Sequence, residues 1–140
     1  MSIGLLIITH NQIGGELLDT AVNMLGYCPL LAESLAIRTD SNPDRIRARA
    51  QQLAAELDQG DGVLVLTDMF GSTPSNIATS LEREGHVSVV SGINLPMLVR
   101  VLNYPHLSLA GLTAKALSGG SDGILDCSQT LPERTRGLAS

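Results

Sequence analysis

The segment LLIITHNQIGGELL, residues 5–18, decides the fold because two hydrophobic patterns meet in it. Its apolar start belongs to the run Ile3–Ile8, which is rich in isoleucine and indicates a strand buried on both faces. After a lone histidine, His10, and two glycines, apolar residues recur at helical spacing between positions 17 and 25. A buried strand that runs directly into a helix is the first half of a crossover unit, so a parallel sheet is expected.

The same alternation of strand and helix continues along the chain. Further strands are predicted at Ser34–Arg38, Val63–Leu66 and Val87–Val90, and a short last strand at Ile124–Cys127. This alternation predicts the α/β class, with a doubly wound, mainly parallel sheet that is covered by helices on both faces. In such sheets ligands bind beyond the carboxyl ends of the strands, at the point where the strand order reverses.

Proline and glycine punctuate the chain between the strands. The segment Ser41–Asp44 has a proline in the predicted first turn of a helix, and Pro96 has the same position in a later helix. The run Gly119–Gly123 matches the pattern G-x-S-x-G, but the hydrolase elbow of that pattern needs a strand before it and a helix after it. A helix precedes the run in this chain, so a flexible hinge is the prediction.

Length, composition and charge limit the possible functions. The 140 residues are 44% apolar, which predicts one domain with an aliphatic core. Nine basic and 14 acidic residues give a net charge of −5, which argues against a nucleic-acid partner. Cys28 and Cys127 have no metal-ligand spacing, so free thiols are expected. Neither a signal peptide nor a membrane span is recognisable, and a soluble cytoplasmic protein is expected.

Two polar residues, His10 and Asp68, stand at the ends of the first and third predicted strands. In a flavodoxin-like strand order these two strands are neighbours at the reversal point, so their ends would meet. A carboxylate that accepts a hydrogen bond from one ring nitrogen fixes the tautomer of a histidine and leaves the other nitrogen as a nucleophile. Taken separately, His10 could be a strand cap and Asp68 a turn residue. Their expected convergence favours a catalytic pair.

The loop after Asp68 carries two further predictions. Thr73 suits the N-cap of a helix with Pro74 at its first position, and the N–H groups of Gly71, Ser72 and Thr73 would form an anion site within reach of His10. The alternative is an ordinary capped helix. The apolar pair before them, Met69 and Phe70, would suit a partner-docking surface, unless Phe70 folds back onto the helix.

With these residues in view, the chain resembles the IIA domains of the mannose family of the bacterial phosphoenolpyruvate:sugar phosphotransferase system. Three segments carry the resemblance: Leu6–His10, Leu66–Asn76 and Val90–Val99. With matching spacing they cover roughly residues 1–127, which would form the IIA domain, followed by a polar tail over 128–140. The combination of the three is specific, although each segment alone is weak.

The resemblance implies a fold, a reaction and partners. The fold would be a four-stranded parallel sheet in the order 2-1-3-4, with the short strand at Ile124–Cys127 exchanged across a homodimer. His10 would accept a phosphoryl group from the phosphocarrier HPr, with Asp68 as its hydrogen-bonding partner, and pass it to a separate IIB protein. No metal or cofactor is expected. Ser72 stands where a second glycine is usual in the family, so the phosphate-facing loop is expected to differ slightly.

Other functions remain open at this point. His10 phosphorylation could control the binding of a regulator without onward transfer to a sugar. A weaker possibility is a hydrolase that uses His10, Asp68 and a loop serine. The sequence does not identify a sugar, because sugar choice in this system lies mainly in the membrane components.

Overall fold

A computed structural model describes residues 2–128 of the chain, and these contain alternating strands and helices. The strands are β1 (Gly4–His10), β2 (Ala32–Ile37), β3 (Val63–Thr67) and β4 (Val87–Ser91). The helices are α1 (Ile13–Leu25), α2 (Pro43–Leu57), α3 (Thr73–Ser80), α4 (Leu95–Leu102) and α5 (Leu109–Asp122). Every strand and helix expected between positions 3 and 117 is present, with ends shifted by a few residues.

The four strands form one parallel sheet in the order β2-β1-β3-β4. Residue His10 lies beside Ile37 in the register of β1 and β2, and Ile8 lies beside Thr67 in the register of β1 and β3. After β1 the chain adds β2 on one side of β1, and it later adds β3 on the other side of β1. The strand order therefore reverses between β1 and β3, and the predicted fold class and order are confirmed.

Alternate residues of β1 pack into two separate hydrophobic clusters, one on each face of the sheet. Leu5 and Ile7 belong to the cluster under α1, α4 and α5, and Leu6 and Ile8 belong to the cluster under α2 and α3. All four side chains are fully buried, which explains why β1 is a continuous apolar run. Each such burial contributes about 1.5–3 kcal/mol to folding. By this alternation His10 belongs to the face that carries α2 and α3.

The predicted hinge at Gly119–Gly123 is wrong, because most of this run is the last turn of α5. Gly119 and Gly120 are buried against α4, where the Arg100 side chain would meet an added Cβ of Gly119 at 2.8 Å. The Asn94 side chain also donates a hydrogen bond to the Gly120 carbonyl at 3.1 Å. The glycines are needed for close helix packing, and the G-x-S-x-G pattern has no strand–turn–helix context.

The residues after α5 bear on the predicted exchanged strand. Ile124–Asp126 take part in no strand of the described chain, and Cys127 and Ser128 are helical. Ile124 is 76% exposed and Leu125 is 62% exposed. Strand exchange requires a second copy of the chain, so it stays a prediction, as do the domain boundary at 127 and the homodimer. The predicted polar tail lies outside the described residues from position 129 onward.

Candidate functional site

The site is built around a double contact between His10 and Asp68. One carboxylate oxygen of Asp68, Oδ2, lies 2.8 Å from Nδ1 of the His10 ring and accepts the His10 backbone N–H at 3.0 Å. The other oxygen, Oδ1, accepts the backbone N–H of Met69 at 3.0 Å. Both carboxylate oxygens therefore have partners, and the predicted convergence of two residues 58 positions apart is confirmed.

The fold explains why these two residues meet. His10 is the last residue of β1, and Asp68 directly follows the last residue of its neighbour β3. Parallel strands end at the same edge of a sheet, so both side chains lie at the carboxyl edge beside the reversal point. The His10 side chain is 41% exposed and that of Asp68 is 14% exposed. The ring is therefore reachable from solvent, and the carboxylate is largely covered.

The contact also selects a tautomer of the imidazole. An ionised carboxylate can only accept hydrogen bonds, so a neutral His10 ring must carry its proton on Nδ1. Nε2 then holds the lone pair, so it is the ring atom that could act as a nucleophile. With Asp68 Oδ2 at 2.8 Å, the arrangement can stabilise a positive charge on the ring.

The pKa of the Asp68 carboxyl group is lowered from its ordinary value of 3.8. Burial is the largest influence on this pKa, and burial alone would raise it. The backbone N–H and ring of His10, the charge of that ring, and the backbone N–H of Met69 together outweigh the burial. Asp68 is consequently ionised at neutral pH and is available as an acceptor for Nδ1.

The loop between β3 and α3 differs in detail from the expectation. Ser72 occupies the N-cap position and Thr73 is the first helical residue, so the predicted N-cap at Thr73 is wrong by one position. The Ser72 hydroxyl donates to the Met69 carbonyl at 2.6 Å, and so it does not cap the helix. Gly71 has a φ of +84°, which favours glycine there.

The predicted phosphate-binding groups are not equally available in this loop. The Gly71 N–H donates to the Ser75 hydroxyl at 3.3 Å, and the Ser72 N–H donates to the Met69 carbonyl at 3.2 Å. Thr73 instead lines a cavity that His10 also lines. Thr73 is therefore the member of the predicted set that the structure places together with His10.

This cavity has a volume of about 290 Å³ and lies at the carboxyl edge of the sheet, between β1, β2, α2 and α3. The apolar lining residues are Ile37, Pro43, Ile46 and Ile77, and the polar ones are His10, Asn11, Arg38, Thr39, Ser41 and Thr73. Sequence reasoning missed Asn11 and Arg38. The position of Arg38 directly after the second strand was the available signal, because β2 ends beside β1.

The residues that follow Asp68 form an exposed apolar surface. Met69 is 61% exposed and Phe70 is 83% exposed. Phe70 does not fold back onto α3, so the alternative considered for it is wrong. Its role in partner docking stays a prediction. His86 and His106 are also exposed, and they lie before β4 and in the α4–α5 connection, outside the site.

Residues 2–128 contain no group of three or more His, Cys, Asp or Glu side chains that could hold a metal ion. None of their helices has the length and apolar character that a membrane crossing requires. Both cysteines, Cys28 and Cys127, carry exposed free thiols, as expected.

Comparison with known proteins gives a consistent picture. The family described as "PTS system fructose IIA component", of the mannose type, matches residues 4–116. The "PTS system mannose-specific EIIAB component" of Escherichia coli K12 is 33% identical over 128 residues, which are 89% of this chain and 39% of that protein. The "Transcriptional regulatory protein LevR" of Bacillus subtilis is 29% identical over 113 residues, which are 76% of this chain and 12% of that protein.

A solved structure agrees in fold. The phosphotransferase system component EIIA from Streptococcus agalactiae superimposes with a TM-score of 0.79 at 23% identity, over 91% of this chain and 98% of that one. The chain spans about two fifths of the length of the Escherichia coli relative, so that protein's overall activity is not transferred to it. The match over residues 4–116 shows that the chain belongs to the mannose-type IIA family of the phosphotransferase system.

Proposed function

We propose that the chain is a phosphocarrier whose His10 accepts a phosphoryl group from phospho-HPr and passes it to a IIB protein for sugar uptake. The observation that carries this proposal is the 2.8 Å contact between Asp68 Oδ2 and His10 Nδ1, which leaves Nε2 as the nucleophile. The reaction takes place in the cytoplasm, where HPr is available. It calls for no cofactor, because phosphohistidine is itself an active donor.

The transfer is an in-line displacement at phosphorus. A bond forms between His10 Nε2 and phosphorus while the bond between phosphorus and the donor's ring nitrogen breaks, and the donor ring keeps that electron pair. The transition state is loose, so catalysis consists mainly of positioning and charge stabilisation. Asp68 keeps the proton on Nδ1 and stabilises the positive charge of the phosphorylated ring. Onward transfer to IIB is the same displacement in reverse.

The loop of Gly71, Ser72 and Thr73 is proposed to hold the phosphoryl oxygens. The N–H groups of Gly71 and Ser72 make only long bonds, of 3.3 and 3.2 Å, which they can exchange for a charged acceptor. Thr73 already faces the cavity beside His10. Met69 and Phe70 are proposed to contact the partner protein, and the exposed Ile124 and Leu125 to join a second copy of the chain.

The test is phosphorylation by purified components. The chain is incubated with phosphoenolpyruvate, enzyme I and HPr, and intact-mass spectrometry is used to detect the addition of one phosphoryl group. His10→Ala is expected to abolish the addition. His106→Ala is the matched control, since it removes an exposed histidine outside the site and is expected to leave the addition unchanged. Equal phosphorylation of His10→Ala and the wild-type chain would disprove the assignment.

A second function is favoured by one specific observation. The chain is similar to part of LevR, whose name describes a transcriptional regulator. In the regulatory alternative, phosphorylation of His10 changes the binding of a partner and no sugar is phosphorylated. The two functions are distinguished by mixing the isolated phosphoprotein with candidate IIB proteins. If phosphate leaves His10 and appears on a IIB protein, transport is supported. If phosphate stays on His10 in the presence of every candidate IIB protein, regulation is supported.

A further inference from the structure

The cavity beside His10 contains one positively charged side chain, that of Arg38. Among its ten lining residues Arg38 is the only lysine or arginine, and the acidic residues Asp and Glu are absent from the lining. Besides His10, the remaining polar lining residues carry only hydroxyl or amide groups, which are uncharged. A positive charge thus lines the same cavity as the proposed nucleophile.

The backbone holds Arg38 close to His10. Ile37 is the register partner of His10, and the Ile37 carbonyl accepts the N–H of Asn11 at 2.9 Å. Neighbouring strands lie roughly 5 Å apart, and Arg38 is one residue beyond the paired position. Its own N–H donates to the Ser41 hydroxyl at 3.0 Å, which fixes the turn that carries it. A long side chain at this position can reach the His10 ring.

In the part of the chain that the structure describes, the guanidinium group of Arg38 forms no ion pair. The ion pairs found there join His10 to Asp68 and Arg100 to Asp122, and Arg38 takes part in neither. The side chain of Arg38 is exposed. An exposed charged group that forms no ion pair among the described residues, and that lines the cavity of His10, is available for a ligand.

We propose that the Arg38 guanidinium binds the phosphoryl group carried by His10. This inference rests on the proposed phosphocarrier function. Asp68 occupies the Nδ1 side of the ring, so a phosphoryl group on Nε2 adds negative charge to a site that already holds a carboxylate. Arginine binds phosphoryl oxygens through two parallel N–H donors, and such charge-assisted bonds are stronger than neutral ones. Arg38 therefore offsets the charge that Asp68 and the phosphoryl group bring together.

Three variants isolate this contact. Arg38→Gln removes the charge, Arg38→Lys retains it without the bidentate geometry, and Arg49→Gln is the matched control. Arg49 is an exposed arginine on α2 that does not line the cavity. The initial rate of phosphorylation by phospho-HPr is expected to fall on the order of tenfold in Arg38→Gln, as for loss of one charged contact in a transition state. Arg38→Lys is expected to recover part of the rate, and Arg49→Gln to match the wild-type chain.

A second readout separates phosphoryl binding from partner docking. After HPr is removed, the ³¹P chemical shift of the phosphohistidine is followed as a function of pH. A nearby cation disfavours proton uptake, so the midpoint of proton uptake is expected to move to higher pH in Arg38→Gln and to stay in place in Arg49→Gln. This measurement contains no partner protein. A slower phosphorylation with an unchanged midpoint means that Arg38 contacts the donor protein, and it overturns the inference.

The outcomes also separate this inference from the proposed function. If the wild-type chain gains no phosphate, the phosphocarrier proposal fails. If the wild-type chain is phosphorylated on His10 but Arg38→Gln shows the same rate and the same midpoint, only the role of Arg38 is disproved.

Discussion

Asp68 Oδ2 contacts both the ring Nδ1 of His10, at 2.8 Å, and the His10 backbone nitrogen, at 3.0 Å. A single carboxylate oxygen thus fixes both the backbone at the end of β1 and the orientation of the His10 side chain. Because Oδ1 is bound by the N–H of Met69, the carboxylate cannot rotate without losing a hydrogen bond. The pair therefore links the stability of the sheet edge to the reactivity of the ring.

Asp68→Asn is expected to lower the rate of phosphoryl transfer to His10 by about a hundredfold, within the range for a lost acid–base partner. The neutral amide does not stabilise a positive charge on the His10 ring. It also does not require the ring proton to be on Nδ1, so the tautomer with a free lone pair on Nε2 is less populated. The rate is measured by intact mass after short incubations with phospho-HPr. Asp19→Asn, an exposed change on α1, is the control. Unchanged rates in Asp68→Asn would remove Asp68 from the mechanism.

The contact between His10 and Asp68 should also affect how the free energy of unfolding depends on pH. The pKa of Asp68 is lower in the folded chain than its ordinary value of 3.8, so ionised Asp68 stabilises the folded state at higher pH. That contribution is fully present above about pH 5 and is lost as the pH falls through 3.8 and then through the folded-state pKa. The difference in free energy of unfolding between the wild-type chain and Asp68→Asn should therefore shrink in acid.

Urea unfolding at a series of pH values checks this expectation. Measurements from about pH 5 down to about pH 2 cover the region in which a carboxyl group with a lowered pKa titrates. Asp19→Asn serves again as the control and should show a nearly constant difference from the wild-type chain. A difference for Asp68→Asn that grows in acid would contradict the lowered pKa.

Two buried threonines at the ends of neighbouring strands should respond oppositely to the same substitution. The hydroxyl of Thr9 accepts the N–H of Gly14 at 2.8 Å in the first turn of α1, where the N-cap residue offers no side-chain bond. The hydroxyl of Thr67 is buried with no hydrogen-bond partner among the described residues. Valine has nearly the shape of threonine, so each change tests the hydroxyl alone.

Thr9→Val is expected to lower the free energy of unfolding by about 1–3 kcal/mol, because the buried N–H of Gly14 loses its acceptor. Thr67→Val is expected to raise it by about 1 kcal/mol, since an unpaired buried hydroxyl is replaced by a methyl group. Chemical denaturation of the two variants side by side gives both values. A loss of stability in Thr67→Val comparable to that in Thr9→Val would show that the Thr67 hydroxyl has a partner.

The sequence was sufficient to predict the sheet and the contact between His10 and Asp68, because both depend on simple periodic signals. Continuous apolar runs fix the buried strands, and the ends of parallel strands must share an edge, so His10 and Asp68 could be placed together without coordinates. The mutual geometry of loop groups could not be obtained in this way. Helix α3 begins at Thr73, and the Ser72 hydroxyl donates to the Met69 carbonyl instead of capping the helix. Composition reveals neither detail.

The same limit explains the error at Gly119–Gly123. Glycine favours both hinges and close helix contacts, and only the partner surface distinguishes the two. Arg38 was missed for a related reason. It is a candidate binding residue because it shares a cavity with His10 and forms no ion pair within residues 2–128. The position of Arg38 after β2 was visible in the sequence, but the cavity that it shares with His10 was not.

Gly119→Ala tests whether the end of α5 is packed or hinge-like. An added Cβ would lie 2.8 Å from Cβ of Arg100 and 3.3 Å from the Pro96 carbonyl oxygen, and neither atom belongs to the free end of a side chain. We therefore expect α4 and α5 to be pushed apart, with a loss of about 1–3 kcal/mol in the free energy of unfolding. A hinge would respond in the opposite direction, because alanine stiffens a flexible segment and stabilises helix.

Gly111→Ala, in the first turn of α5, is the matched control for this experiment. Its Cβ would lie 3.3 Å from Cβ of Leu107 and 3.4 Å from Oγ of Ser108. These distances are longer than the 2.8 Å at Gly119, so an adjustment of a few tenths of an ångström relieves them. Alanine also favours helix over glycine by roughly 1 kcal/mol, so this variant is expected to be close to neutral or stabilised. Thermal unfolding of both variants decides the question: stabilisation of Gly119→Ala to the same extent as Gly111→Ala would contradict the packed end of α5.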